Sequence, residues 1–101
     1  MILYQVNVTV KSIYVQEWQT WMCEHHIPDV MKTGCFLNVR MLELMDDTTN
    51  GNFVIEYVCK DSATLLHYRQ EFSPALQAQH NEKFKDAATS FRKEFTIVFE
   101  A

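Results

Sequence analysis

The sequence predicts an α+β fold built in the order βαββαβ. Residues 2–10 alternate apolar and polar side chains, the pattern of a half-buried strand. Two later stretches repeat their apolar residues at helical spacing. Only two glycines and two prolines occur in 101 residues, which argues against a loop-rich or disordered chain.

Ser12 is placed to cap the first helix, and Gln16 and Glu17 favour its first turns. Tyr14, Val15, Trp18, Trp21, Met22, His25 and His26 fall on one broad face of that helix, while Gln16, Glu17, Gln19 and Glu24 lie largely off it. Pro28 disfavours helical backbone at Ile27, so the helix is expected to break near His26. Pro28 then opens one further turn, which Gly34 closes. Residues 35–45 read as the second strand. Residues 46–51 read as a hairpin loop in which Asn50-Gly51 supplies positive φ angles. Residues 52–59 form the third strand. Asp61 or Ser62 caps a second helix with the stripe Leu65, Tyr68, Phe72 and Leu76. Pro74 either kinks that helix or begins a fresh one capped by Ser73. Residues 94–100 are the fourth strand, with Phe95, Ile97 and Phe99 on one side. Right-handed crossovers then put both helices on one face of a four-stranded antiparallel sheet, the ferredoxin-like arrangement, in a single domain spanning 1–101.

Several strands carry apolar residues on both sides, for example Val54 and Val58 against Phe53, Ile55 and Tyr57. Two-sided apolarity implies burial on both faces. With helices on one face only, a second copy of the chain is the simplest cover, so a homodimer is expected. The net charge of −4, without a basic stripe, argues against nucleic-acid and anionic-membrane partners. Lys83, Lys85, Arg92 and Lys93 alternate with acids and read as a solvated face. Three cysteines without CxxC spacing point to buried reduced thiols and a cytoplasmic address. No span of about 20 apolar residues suggests a membrane helix.

The segment from Trp18 to Val30 concentrates the chemistry, because two tryptophans and two histidines meet there beside a proline. Its pattern Trp18-x-x-Trp21-Met22-x-x-x-His26-Ile27-Pro28-Asp29-Val30-Met31-x-Thr33-Gly34-x-Phe36 resembles the domain-of-unknown-function 4286 family. Tyr57-x-Cys59, Tyr68, Pro74-x-Leu76 and Phe91-Arg92 are similar to it too. The likeness covers nearly the whole chain and implies no known activity. More coarsely the chain resembles the dimeric α+β barrel group, ferredoxin-like dimers packed sheet to sheet. That group includes cofactor-free monooxygenases, isomerases, haem-dependent peroxidases and small binding proteins. Several carry His-x-Pro at the end of helix 1, as His26-Ile27-Pro28 does here.

His26 is the candidate acid or base. At a helix C-terminus, with Asp29 to hold one ring nitrogen, its imidazolium would be favoured and its pKa raised unless strong burial opposes them. The competing reading is a histidine that caps the last helical carbonyls. Trp18, Trp21 and Met22 are either core or the apolar wall of a pocket for an aromatic ligand, one tryptophan being assigned to the core. Arg40 either receives an anion or pairs with Glu56, and the pair is preferred. Tyr57 and Tyr68 complete the expected ligand-contacting set. Adjacent His25 and His26 diverge and no HxxxH occurs, while His67 and His80 are isolated in sequence, so no metal or other cofactor is expected. The expected function is to bind a small apolar or aromatic molecule between helix 1 and the sheet. The alternatives are a cofactor-independent monooxygenase or isomerase, and an interaction module without a ligand.

Overall fold

A computed structural model describes residues 1–45 and 50–101. Strand β1 (Ile2–Lys11) pairs antiparallel with β3 (Asn50–Cys59) on one side and β4 (Ala88–Thr96) on the other. Strand β2 (Asn38–Glu43) pairs antiparallel with β3, giving the sheet order β2-β3-β1-β4. This is the ferredoxin-like α+β fold that the alternation and helical stripes predict.

The first crossover is helical from end to end. A 3-10 turn at Ser12–Tyr14 leads into α1 (Val15–Trp21), a five-residue π turn at Met22–His26, and α2 (Ile27–Lys32). The expected break at His26 does not occur. A proline in a regular α-helix clashes with the carbonyl four residues back. Here the Ile27 N–H donates to the Met22 carbonyl, five residues back, and the wider turn takes up the ring. Ile27 keeps helical backbone at φ −62° and ψ −45°. Ser12 makes no side-chain cap. Gly34 ends the rod at φ 76°, donating its N–H to the Met31 carbonyl.

The second crossover is two helices, α3 (Ser62–Glu71) and α4 (Ser73–Phe84). Asp61 caps α3 by accepting from the Thr64 N–H at 2.8 Å and the Thr64 hydroxyl at 2.6 Å. Pro74 opens α4, as one of the two sequence readings holds. The cap position is taken by Phe72, and the Ser73 hydroxyl instead accepts from Gln77 at 2.7 Å.

Other boundaries shift. Residues 46–49 of the expected hairpin loop lie outside the described residues. Asn50 and Gly51 belong to β3, and Gly51 lacks a positive φ. Its missing Cβ serves close packing instead: a Cβ there would lie 2.7 Å from the Phe53 ring and 2.8 Å from Val15 Cγ2. The last strand runs from Ala88 to Thr96, six residues earlier than its expected start, and Ile97 and Phe99 lie beyond it.

Tyr4, Val6, Val8 and Val10 of β1 and Phe53, Ile55, Tyr57 and Cys59 of β3 are buried on one face, against Trp18, Met22, Val30, Leu65, Tyr68, Leu76 and Phe84 of the helices. The other sheet face presents Leu3, Leu42, Val54, Val58, Phe91 and Phe95 among polar residues, with no helix over it. Phe91 and Phe95 are 58% and 43% exposed. Cys35 and Cys59 are buried thiols, whereas Cys23 is exposed on the π turn, contrary to expectation. Among the described residues no helix is long and apolar enough to cross a membrane.

Candidate functional site

The π turn decides which side chains of the first helix meet. At ~100° per residue, Trp21 and His26 would diverge by about 140° on a regular α-helix. The wider turn brings them to one side, where their rings stack at 5.3 Å and 28°. The α4 residues Leu76, Gln77, His80 and Phe84 face the same gap from the second crossover. His80 lies 6.0 Å from His26 and 5.9 Å from Trp21, and Phe84 lies 5.4 Å from Trp21.

The two tryptophans separate in role. Trp18 is fully buried, packs 4.8 Å from Phe53, and donates from Nε1 to His80 Nε2 at 2.9 Å. That bond makes Nε2 of His80 an acceptor and leaves the proton on Nδ1, which lies 3.5 Å from Asn81 Oδ1. Trp21 is half-buried and walls the histidine pair.

Two adjoining hollows of about 30 Å³ each lie between the helices and the sheet. Both are lined by Val6, Met22, His26, Gln77 and Arg92. The first extends to Tyr4, Tyr57, Tyr68 and Ser73, the second to His80 and Ser90. The Nδ1 atom of His26 is buried and has no hydrogen-bond partner among the described residues. Burial, then the neighbouring His80, pull the His26 pKa from 6.5 down to about 4, and Asp29 opposes them only weakly. The raised value is expected only without strong burial, and burial here reverses it. The ring does not sit at a helix end, because the helix continues to Lys32, and desolvation outweighs the distant carboxylate. Burial likewise lowers His80, so the pair is neutral at pH 7. The Tyr57 and Tyr68 hydroxyls are pushed up by burial and remain protonated donors.

Of the residues singled out in the sequence, His26, Met22, Tyr57 and Tyr68 line the hollows, and Trp21 stacks behind them. Trp18 is core that reaches the site only through His80. Asp29 is exposed and lies 4.0 Å from Lys32 Nζ, so it does not hold the imidazole. Arg40 lies on the helix-free face, bound to Glu56 at 2.7 Å as the preferred reading had it. There it borders a separate hollow of about 360 Å³ with Leu3, Val58 and Phe99. Tyr14 and His25 are exposed.

His80, Gln77, Ser73 and Arg92 were missed. A signal existed for α4, since Ser73, Leu76, Gln77, His80 and Phe84 follow the three-and-four spacing of one helical face. Arg92 was hidden by the late strand boundary. Once β4 begins at Ala88, the residues Ala88, Ser90, Arg92 and Glu94 alternate onto the helix-covered side, opposite Val10, Val8, Val6 and Tyr4. Among the described residues no group of three or more His, Cys, Asp or Glu is arranged to hold a metal ion.

A family model described as "Domain of unknown function (DUF4286)" matches residues 1–98. No curated protein matches the chain. Solved structures share its fold at low identity. A point mutant of SnoaB, a cofactor-independent oxygenase from Streptomyces nogalater, is 14% identical over 98% of this chain and 95% of its own, with a TM-score of 0.73. A protein from Nitrosomonas europaea, ascribed to the antibiotic biosynthesis monooxygenases, is 14% identical over 98% of this chain and all of its own, at 0.74. A MhuD mutant with two manganese protoporphyrin IX molecules per active site is 15% identical over 100% of this chain and 98% of its own, at 0.76. At these identities the likeness shows the ferredoxin-like α+β fold alone and assigns no chemistry.

Proposed function

The chain belongs to the DUF4286 family, and from its site we propose that it binds a small apolar or aromatic molecule between the first helix and the sheet. The observation that carries this reading is the buried His26 Nδ1, which meets no protein partner and borders a hollow with tyrosine, glutamine and arginine groups. An unsatisfied buried ring nitrogen costs free energy that a ligand or water in the hollow would recover. Met22 supplies apolar lining, and Trp21 stacks behind His26. Binding is preferred to acid–base turnover because a base held near pKa 4 is weak at neutral pH. A cytoplasmic homodimer is part of the reading, supported by three unpaired thiols and by the apolar helix-free sheet face.

A second reading, an interaction module without a ligand, is favoured by the small size of the hollows, since 30 Å³ holds little more than a water or two. Amide NMR with a panel of small aromatic molecules tests between them. The ligand reading expects shifts centred on Trp21, His26, Gln77 and Arg92 that weaken in His26→Gln. A panel that leaves these residues unmoved favours the module. Oxygen uptake or product formation with any binder would add catalysis.

A further inference from the structure

The chain has three arginines, and two are already neutralised: Arg40 by Glu56 at 2.7 Å and Arg69 by Glu94. Arg92 is different. Among the described residues it has no carboxylate within 4.0 Å, and its polar contact is the Ser90 hydroxyl at 3.5 Å. It stands on the helix-covered side of β4 and lines both hollows with His26. Glu94, two residues along on the same side, would be its natural partner, but Arg69 of α3 holds that carboxylate.

We infer that the ligand is an acid, whose carboxylate seats in the paired hollows against Arg92 while its apolar body stays outside them. The inference rests on the ligand-binding reading above. A guanidinium fork matches the two oxygens of a carboxylate, and the charge-assisted bonds it forms are stronger than neutral ones. The remaining lining groups suit the same head. The Tyr57 hydroxyl is a protonated donor, and the Gln77 amide has a second N–H beyond the one it gives Ser73, whereas the Tyr68 hydroxyl already hydrogen-bonds Ser73. His26 can turn a ring N–H toward it from the atom that now has no partner. A head group of three heavy atoms is also the part of a ligand that hollows of about 30 Å³ can take, leaving a ring outside. A purely apolar ligand would leave His26 Nδ1 without a partner and the exposed Arg92 guanidinium to solvent.

The test compares benzoate with benzamide, which has nearly the same shape without the charge, by calorimetry and amide NMR on the intact chain. Benzoate is expected to shift His26, Gln77 and Arg92 and to bind at least about tenfold more tightly than benzamide, the scale of one charge-assisted contact. Arg92→Gln should remove about that factor for benzoate and leave benzamide unaffected, while Arg40→Gln on the other face should change neither. Benzamide binding in the hollows as tightly as benzoate overturns the acid, yet leaves the ligand site standing. Benzoate binding that is lost in Arg40→Gln but kept in Arg92→Gln overturns it in favour of the outer face. Binding of neither compound overturns the acid, and unmoved site residues across the wider aromatic panel overturn the site reading itself. Should Arg92→Gln fail to fold, the wild-type comparison of the two probes decides alone.

Discussion

His26 shows how position overrides the intrinsic chemistry of a residue. Its ring nitrogen is buried, its neighbour His80 repels added charge, and its pKa falls to about 4. An unfolded chain takes up the proton near 6.5, whereas the folded protein resists it until about 4. Between these values the unfolded state binds more protons, so stability is full above the upper one and falls as pH drops through the window. The loss tends toward roughly 3 kcal/mol if the fold does not relax around the charge. Urea unfolding from pH 7 to pH 4 should therefore show a steeper loss for wild type than for His26→Gln. A smaller slope should survive in the variant, because burial also depresses His80. Parallel curves for the two proteins would contradict a buried neutral ring. The tryptophans give a second contrast. Trp18→Ala should cost ~3–5 kcal/mol, since it empties the core and frees His80 Nε2. Trp21→Ala should cost less than half of that by the same unfolding measurement and should alter ligand shifts instead. The sequence suggested this division but not its assignment, because both indoles share one helical stripe and only the packing against Phe53 tells them apart.

Among the elements, the helices and strands follow from local patterns, and their junctions do not. Glycine shows the difference. Gly34 needs its positive φ and has open space around its Cα, so Gly34→Ala should cost about 1 kcal/mol through backbone strain alone. Gly51 has ordinary backbone but no room, so Gly51→Ala should cost ~1–3 kcal/mol by forcing Phe53 and Val15 apart. Urea unfolding of the pair separates the two causes if Gly34→Asn, which tolerates a positive φ, recovers much of the loss while Gly51→Asn worsens it. The element order and the helical stripes were legible, and the Asp61 cap and the Pro74 helix start each stood as one of two readings, since each depends on a few adjacent residues. The π turn was not. Pro28 announces a disturbance, but whether a helix breaks or widens depends on packing at both ends, here Trp18 and Met22 before it and Val30 after it. The shifted start of β4 was hidden for a related reason. Residues 88–93 are too polar to read as a strand, and they become one because β1 offers an unpaired edge.

For the whole molecule, the helix-free sheet face calls for a second copy of the chain. A domain of this length buries a limited share of its surface, so exposed apolar area weighs heavily on its solubility. Leu3, Val54, Val58, Phe91 and Phe95 lie together on that face by strand register, and Val98 and Phe99 follow at 90% and 82% exposure. Arg40 and Glu56 stand among them as an ion pair, so the face is not charged enough to repel its own copy. A stable sheet-to-sheet dimer is expected to bury ~2,000 Å² or more in total. Sedimentation at low micromolar concentration should then give twice the 11.9 kDa of one chain. Phe95→Glu places a charge within the expected contact and should yield monomers with an unchanged circular dichroism spectrum. A wild type that sediments only as a monomer would defeat the expectation. The two small hollows lie on the opposite side of the sheet, bordered by the π turn, α3 and α4. A folded Phe95→Glu monomer should therefore still show the His26 and Arg92 shifts with benzoate. If those shifts vanish with the dimer, the site needs the second subunit, and the gap between helices and sheet is not the whole of it.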